Sequence, residues 1–165
     1  MRFENHQELK EAGFTGFKRI SELFENSSSI PKVKGVYMVM NPSDKPPKFL
    51  DIGTGGHFKG QNPNVSLSDL KSNWVKDSYV VYIGKAGKEG SSATLQSRLR
   101  QYLGFGKGGN VGHWGGRLIW QLAHSHELEI CWLPMPNGDP REYEAELIRA
   151  FVSKYGARPF ANLAN

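Results

Sequence analysis

The stretch from Asp139 to Gly156 constrains this chain most, because it reads as a helix with a carboxylate where only apolar residues belong. Asp139 suits an N-cap and Pro140 the first helical position. Gly156 supplies the stop. Successive residues advance about 100° around an α-helix. On that step Tyr155, Phe151 and Ile148 all fall within about 40° of Glu144, and Leu147 within about 60°. Glu142 and Glu146 each fall about 160° away, on the opposite face. Glu144 therefore occupies the middle of the apolar face. A lone carboxylate there is costly unless it is paired or binds a metal. Two readings stay open: a structural ion pair, for instance with Arg98, or a metal ligand at the floor of a site.

Leu95 to Leu103 reads as a second helix with a similar irregularity. Leu99 and Tyr102 fall within about 40° of Leu95, and Leu103 within about 80°. Arg98 lies about 60° to the other side of Leu95, at the edge of that stripe. Arg100, about 140° from Leu95, points away. Three strands are expected: Val33 to Met40, Tyr79 to Ile83, and Leu128 to Leu133. Tyr37 and Tyr82 each sit in a strand beside a glycine, a setting in which a tyrosine is also an ordinary structural residue. The run Val80 to Ile83 meets Gly84, Lys85 and Ala86, so Lys85 is expected where the strand stops.

The remaining segments organise around these elements. His6 to Ala12 reads as a short helix stopped at Gly13, and Ile20, Leu23 and Phe24 have the spacing of another. Residues 1–30 are expected to form a helical extension of the same domain, not a separate one. Residues 41–77 are irregular, beginning with Asn41, Pro42, Ser43 and Asp44, which are turn residues. The glycines between Gly53 and Gly60 lack a following Gly-Lys-Ser/Thr, so they do not make a phosphate loop. Leu67, Leu70 and Trp74 are spaced for one face of a short helix. From Gly104 to Gly116 glycines alternate with aromatic residues and a lysine. Such a segment either lets backbone and rings approach a ligand or is a flexible surface loop. Arg117 to Ala123 suggests another helix.

The 165 residues suit a single domain, 1–165. A single cysteine, Cys131, excludes an internal disulfide framework and a cysteine-based zinc cluster. No apolar run reaches membrane-spanning length, and Met1 to His6 offers no signal-peptide core. A cytoplasmic protein without membrane contact is the expectation. The net charge is +5. From Lys85 to Arg117 there are six basic residues and one acidic residue, an excess equal to that of the whole chain. Such a concentration suits a polyanionic partner, nucleic acid first, with a solvated surface as the alternative.

In this order the motifs resemble those of the GIY-YIG nuclease superfamily. Its Gly-Ile-Tyr is matched by Gly35-Val36-Tyr37, and its Tyr-Ile-Gly by Tyr82-Ile83-Gly84, followed by Lys85-Ala86. Its helical arginine is matched by Arg98 within Leu95-Gln96-Ser97-Arg98-Leu99. Its metal-binding glutamate is matched by Glu144 within Glu144-Ala145-Glu146-Leu147-Ile148. Its terminal Pro-x-x-Asn is matched by Pro159-Phe160-Ala161-Asn162. The match runs from about Lys34 to Asn162. The 45 positions from Tyr37 to Tyr82 exceed the family's usual connection, so 41–77 reads as an insertion.

The resemblance implies an α+β fold with a central three-stranded antiparallel sheet flanked by helices. It implies a metal-dependent endonuclease that hydrolyses phosphodiester bonds of DNA with one Mg²⁺ or Mn²⁺. In that reading Glu144 holds the metal, and Arg98 grips a phosphate oxygen. Tyr37 orients or deprotonates the attacking water, helped by Tyr82, Lys85 or the metal. Lys85 is itself the base if desolvation lowers its pKa. Asn162 holds the site together by local hydrogen bonds. Lys107, His113 and Arg117 are candidates for substrate binding, and His113 is also a candidate base, with a plain surface histidine as the alternative. His6, His57, His124 and His126 receive no role. The rival readings are an inactive nucleic-acid-binding module on the same scaffold and a structural protein with a buried Arg98–Glu144 pair. Target sequence and oligomeric state are not encoded in these features.

Overall fold

The computed structural model describes residues 1–163. The fold is α+β. Strands β1 (Thr15–Arg19), β2 (Gly35–Met40), β3 (Val80–Ala86) and β4 (Glu129–Pro134) form one antiparallel sheet in the order β1-β4-β2-β3. Among the described residues there are five α-helices: α1 (His6–Glu11), α2 (Ile20–Glu25), α3 (Leu67–Asn73), α4 (Leu95–Gly106) and α5 (Pro140–Tyr155). None of the helices is long and apolar enough to cross a membrane.

The three expected strands are present and adjacent, but the sheet has four, which corrects the three-stranded expectation. The extra strand lies in the segment expected to be purely helical. β1 pairs with β4 from Thr15 opposite Trp132 to Arg19 opposite Glu129. Its pattern is hidden because Gly16 (φ 96°) and Phe17 (φ 56°) take left-handed backbone conformations, and the pairing shifts between Gly16 and Lys18. Gly16 lies under the Trp132 ring, where a Cβ would come within 2.7 Å of it. Phe3, Leu9, Phe14, Ile20, Leu23 and Ile30 are all buried, so residues 1–30 complete the core instead of extending from it.

β2 is central and buried along its whole length, so its alternating side chains feed two cores. Tyr37 and Val39 face the core that includes α4 through Leu95, Leu99 and Tyr102. Val36, Met38 and Met40 face the core that includes α5 through Leu147 and Phe151. β3 is an edge strand with a bulge: Met40 pairs with Val80, but Val39 pairs with Tyr82. Past the bulge Tyr82 shares the α4 face with Tyr37, whereas Ile83 joins the α5 core. Lys85, two residues on from Ile83, follows it to the α5 face.

Local signals place the two long helices. Asp139 caps α5 by accepting from Arg141 N and Glu142 N, and Gly156 (φ 76°) ends it. Thr94 caps α4 by accepting from Ser97 N. α4 continues past the expected Leu103 to Gly106, because Gly106 packs against the Trp120 ring, where a Cβ would meet it at 2.3 Å. The expected helix at 117–123 is a 3₁₀ turn, Arg117–Gln121. The 41–77 insertion is tied to that turn. The buried Gln121 side chain accepts from Val65 N and donates to Leu50 O and Val65 O, and Trp120 O accepts from Thr54 N.

Candidate active site

A cleft of about 740 Å³ opens beside the edge of β3 and gathers part of the expected site. Tyr82 and Lys85 reach it from β3, Glu144 and Arg149 from α5, and Asn162 from the C-terminal tail. Trp114 and Arg117 line it from the glycine-rich segment and the turn after it. Arg158 also lines it. Both faces of the edge strand serve the cleft, because it runs around the end of the sheet.

Glu144 projects toward β3, as its helical angle requires, and its side chain is 20% exposed. Its cationic neighbour is Lys85, with Nζ 3.8 Å from Oε1, and not Arg98 as the pairing alternative supposed. At that separation the two form an ion pair without a hydrogen bond. Burial pushes the Glu144 pKa up, and the Lys85 charge only partly opposes this. Lys85 is 38% exposed and lies within β3, one residue before its end, instead of beyond the strand.

Tyr37 is fully buried and lies across Gly84, its partner in the β2–β3 ladder. A Cβ at position 84 would come within 2.4 Å of Tyr37 Cζ, so the glycine beside the second tyrosine exists to admit the first. The Tyr37 and Tyr82 rings are 6.0 Å apart between centroids. Burial pushes the Tyr37 phenol well above its ordinary pKa, with Tyr82 adding to the rise and Arg98 opposing it. Burial pushes the Tyr82 phenol up to about 12, with Glu144 adding and Arg98 again opposing. Both phenols keep their protons at neutral pH, so this arrangement favours orientation over proton abstraction by Tyr37.

Arg98 stands behind the tyrosines and does not line the cleft. Its Nη1 donates to Gln101 Oε1 at 2.7 Å, and its Nη2 approaches His113 Nδ1 at 3.3 Å. His113, a candidate for substrate binding or base with a surface histidine as the alternative, is instead a core residue: it is 3% exposed and stacks edge-on against Tyr102. Burial, reinforced by the Arg98 charge, holds its pKa down at about 3. The ring is neutral at pH 7, and since guanidinium only donates, Nδ1 accepts and the proton resides on Nε2. His113 Nε2 is buried without a partner. This histidine sets the position of Arg98 and does not reach the cleft.

Lys107 is the expected substrate contact that the fold takes elsewhere. Its Nζ donates to Phe24 O at 3.1 Å and lies 4.7 Å from the centre of the Phe24 ring. Arg117 is brought to the cleft, where burial lowers its pKa and leaves Nε without a partner. Arg149 and Arg158 were not singled out from the sequence. Arg149 falls about 140° from Glu144 around the helix, a direction that reads as solvated surface. Arg158 belongs to the irregular tail, whose course no periodicity reveals.

Many glycines between 104 and 116 serve the protein's own packing. A Cβ at Gly109 would meet Gly104 O at 2.7 Å, and one at Gly112 would meet Phe58 of the insertion at 3.0 Å. Gly56 of the insertion in turn lies so close to Gly109 that a Cβ there would meet Gly109 O at 2.2 Å. Gly116 (φ 74°) lies against the Tyr82 and Tyr102 rings, and Tyr102 Oη donates to Gly116 O at 2.6 Å. Asn162 acts as a two-pronged clamp: Oδ1 accepts from Ile83 N at 2.9 Å, and Nδ2 donates to Ile83 O at 2.8 Å. Ala161 N donates to Val81 O at 2.9 Å. Among the described residues the tail thus covers the first part of the exposed β3 edge and leaves Lys85 to the cleft.

Among the described residues, no three His, Cys, Asp or Glu side chains cluster closely enough to cage a metal. Glu144 is the one carboxylate among the described residues that line the cleft. Mg²⁺ accepts such a donor set, since it commonly uses one or two carboxylates and completes its shell with water and substrate phosphate. Comparison of the chain with protein-family models, curated proteins and solved structures finds no match.

Proposed function

We propose that this chain is a GIY-YIG-type, metal-dependent endonuclease that hydrolyses phosphodiester bonds of DNA. The observation that carries the reading is the electrostatics of the β3-edge cleft. Lys85, Arg117, Arg149 and Arg158 line it, and Glu144 is its one carboxylate among the described residues. The cations suit a polyanionic backbone. The half-buried Glu144, with its raised pKa and no hydrogen bond from Lys85, is costly to keep as a mere surface pair. The order of Gly35-Val36-Tyr37, Tyr82-Ile83-Gly84, Arg98, Glu144 and Asn162 supports the same reading.

Glu144 would hold a divalent Mg²⁺ or Mn²⁺, which supplies charge neutralisation at the scissile phosphate when bound. Lys85 and Arg117 bind non-bridging phosphate oxygens. Tyr82 keeps its proton and orients water by a hydrogen bond from its hydroxyl. Tyr37 sets the Tyr82 ring from behind. Arg98, held by His113 and Gln101, supplies positive charge behind both phenols. Asn162 fixes the strand that carries Tyr82 and Lys85.

The test is incubation of the purified protein with labelled single-stranded DNA, duplex DNA and RNA, in Mg²⁺, Mn²⁺ or EDTA. Cutting of DNA that needs the metal and disappears in Glu144→Gln is the expected result. Salt-sensitive binding without cutting would favour a binding module on this scaffold. Neither binding nor cutting would leave Lys85–Glu144 as a structural pair.

A further inference from the structure

We propose that Trp114 is a stacking platform for an unpaired nucleobase of the strand that enters the β3-edge cleft. The inference rests on the nuclease reading and narrows its substrate class. Five large apolar side chains are exposed among the described residues: Met1, Ile52, Leu67, Trp114 and Val152. Of these, Trp114 alone is aromatic and Trp114 alone lines the cleft. At 38% exposure it leaves much of an indole in contact with water, a cost that packing would remove if the ring were only a filler.

The platform is built in advance. The Arg117 guanidinium lies 4.4 Å from the centre of the indole, a cation–π contact, and Phe105 meets the ring edge-on at 6.4 Å. The backbone just after Trp114 is clamped, since Gly116 O accepts from Tyr102 Oη and Gly116 packs on the Tyr82 ring. A ring fixed in this way loses little conformational freedom when a ligand stacks on it. Arg117, with Nε buried and unpartnered, covers one face of the ring, so the base would stack on the opposite face with this positive charge behind the indole.

The geometry selects an unpaired base. In a continuous duplex each base already has both faces covered by its neighbours, so none is free to lie on an indole. A single strand, or a nucleotide turned out of a helix, offers a free face. The partner is thus a DNA strand that is unpaired where it crosses the cleft, with the cleft's cations holding its backbone.

The experiment is fluorescence anisotropy in EDTA, which prevents metal-dependent cutting. A labelled single strand and the same sequence as a blunt duplex are titrated with wild type, Trp114→Ala, Trp114→Leu and Trp114→Phe. A 2-aminopurine walked along the single strand reports stacking directly. Loss of one base–aromatic stack corresponds to about 5- to 150-fold weaker binding. That loss is expected for Trp114→Ala and Trp114→Leu on the single strand but not on the duplex, with Trp114→Phe retaining most of the affinity. Quenching at one 2-aminopurine position should vanish with the ring. Trp114→Leu keeps apolar bulk and guards against a fold defect in the alanine variant. Equal losses on both substrates, or unchanged single-strand binding in properly folded variants, would overturn the platform while leaving the nuclease reading intact. Failure of wild type to bind either oligonucleotide, both in EDTA and with Ca²⁺ in its place, would overturn both.

Discussion

Asn162→Ala separates a positioning role from a chemical one, and its cost can be worked from the structure. The side-chain amide makes two hydrogen bonds to Ile83, at 2.9 and 2.8 Å. Each contributes about 0.5–1.5 kcal/mol net. Water can reach part of the freed β3 edge, so the full penalty for buried unsatisfied groups does not apply, and a total of about 1–3 kcal/mol follows. For a chain of this size each kcal/mol moves the melting temperature by about 2–4 °C. A calorimetric decrease of about 2–12 °C is therefore expected. Assayed well below its melting temperature, Asn162→Ala should cut DNA at a rate within about tenfold of wild type, because no proton or phosphate passes through the amide. Asn162→Asp should be at least as harmful to stability, since it turns an oxygen toward Ile83 O in place of the donor. An unchanged melting temperature would refute the clamp. A normal melting temperature with a rate loss of about 10²- to 10⁴-fold, typical of a removed catalytic group, would place Asn162 in the chemistry instead.

Three other perturbations test neighbouring parts of the site. Burial raises the Glu144 pKa in the folded state, so its stabilising contribution is complete below the ordinary value of 4.5 and is lost as pH rises through the folded value. Glu144→Gln should thus melt above wild type at pH 7 and level with it in acid, while Mg²⁺ should raise the melting temperature of wild type alone. His113 is held at about 3 against an ordinary 6.5, so its contribution is complete above about pH 6.5 and is lost as pH falls toward 3. Urea midpoints at pH 7 and pH 5 should show wild type losing about 1.4 kcal/mol per pH unit more than His113→Gln once below the ordinary value. Gly84→Ala would drive a Cβ to 2.4 Å from Tyr37 Cζ, an overpacking cost of about 1–3 kcal/mol. Combining it with Tyr37→Leu should cost less than the sum of the two changes in chemical denaturation.

Helical angle was enough to put Glu144 on a packed face, and the caps at Asp139 and Gly156 fixed the ends of that helix. The partner was not legible. In the sequence Arg98 is a cation at the edge of an apolar helix stripe and Lys85 is one at the end of a strand, and only the bulge opposite Val39 sends Lys85 to the α5 face. β1 escaped for a related reason. Gly16 and Phe17 break the two-residue alternation that announces a strand. His113 lies among glycines that suggest mobility, yet those glycines bring the insertion and the segment into close contact, and the histidine is sealed beneath them. Periodicity reports which way a side chain points within its own element. It does not report which distant element will cover that direction, and this is why Arg149, Arg158 and Trp114 became cleft residues only in three dimensions.

The edge position of β3 gives these contributions a common origin. A strand inside a sheet shows its two faces to two separate cores, and residues on opposite faces do not meet. At an edge the faces converge around the last strand, so Tyr82 from the α4 side and Lys85 from the α5 side line one cleft. Such an edge would ordinarily invite pairing with another chain. Here the tail pairs with Val81 and Ile83 through Ala161 and Asn162, and beyond them a charged Lys85 discourages a further strand. Among the described residues, the covering that blocks a foreign strand also stops short of Lys85 and Glu144. Among the described residues the Asn162 clamp therefore marks the point on β3 where the covered edge gives way to the cleft.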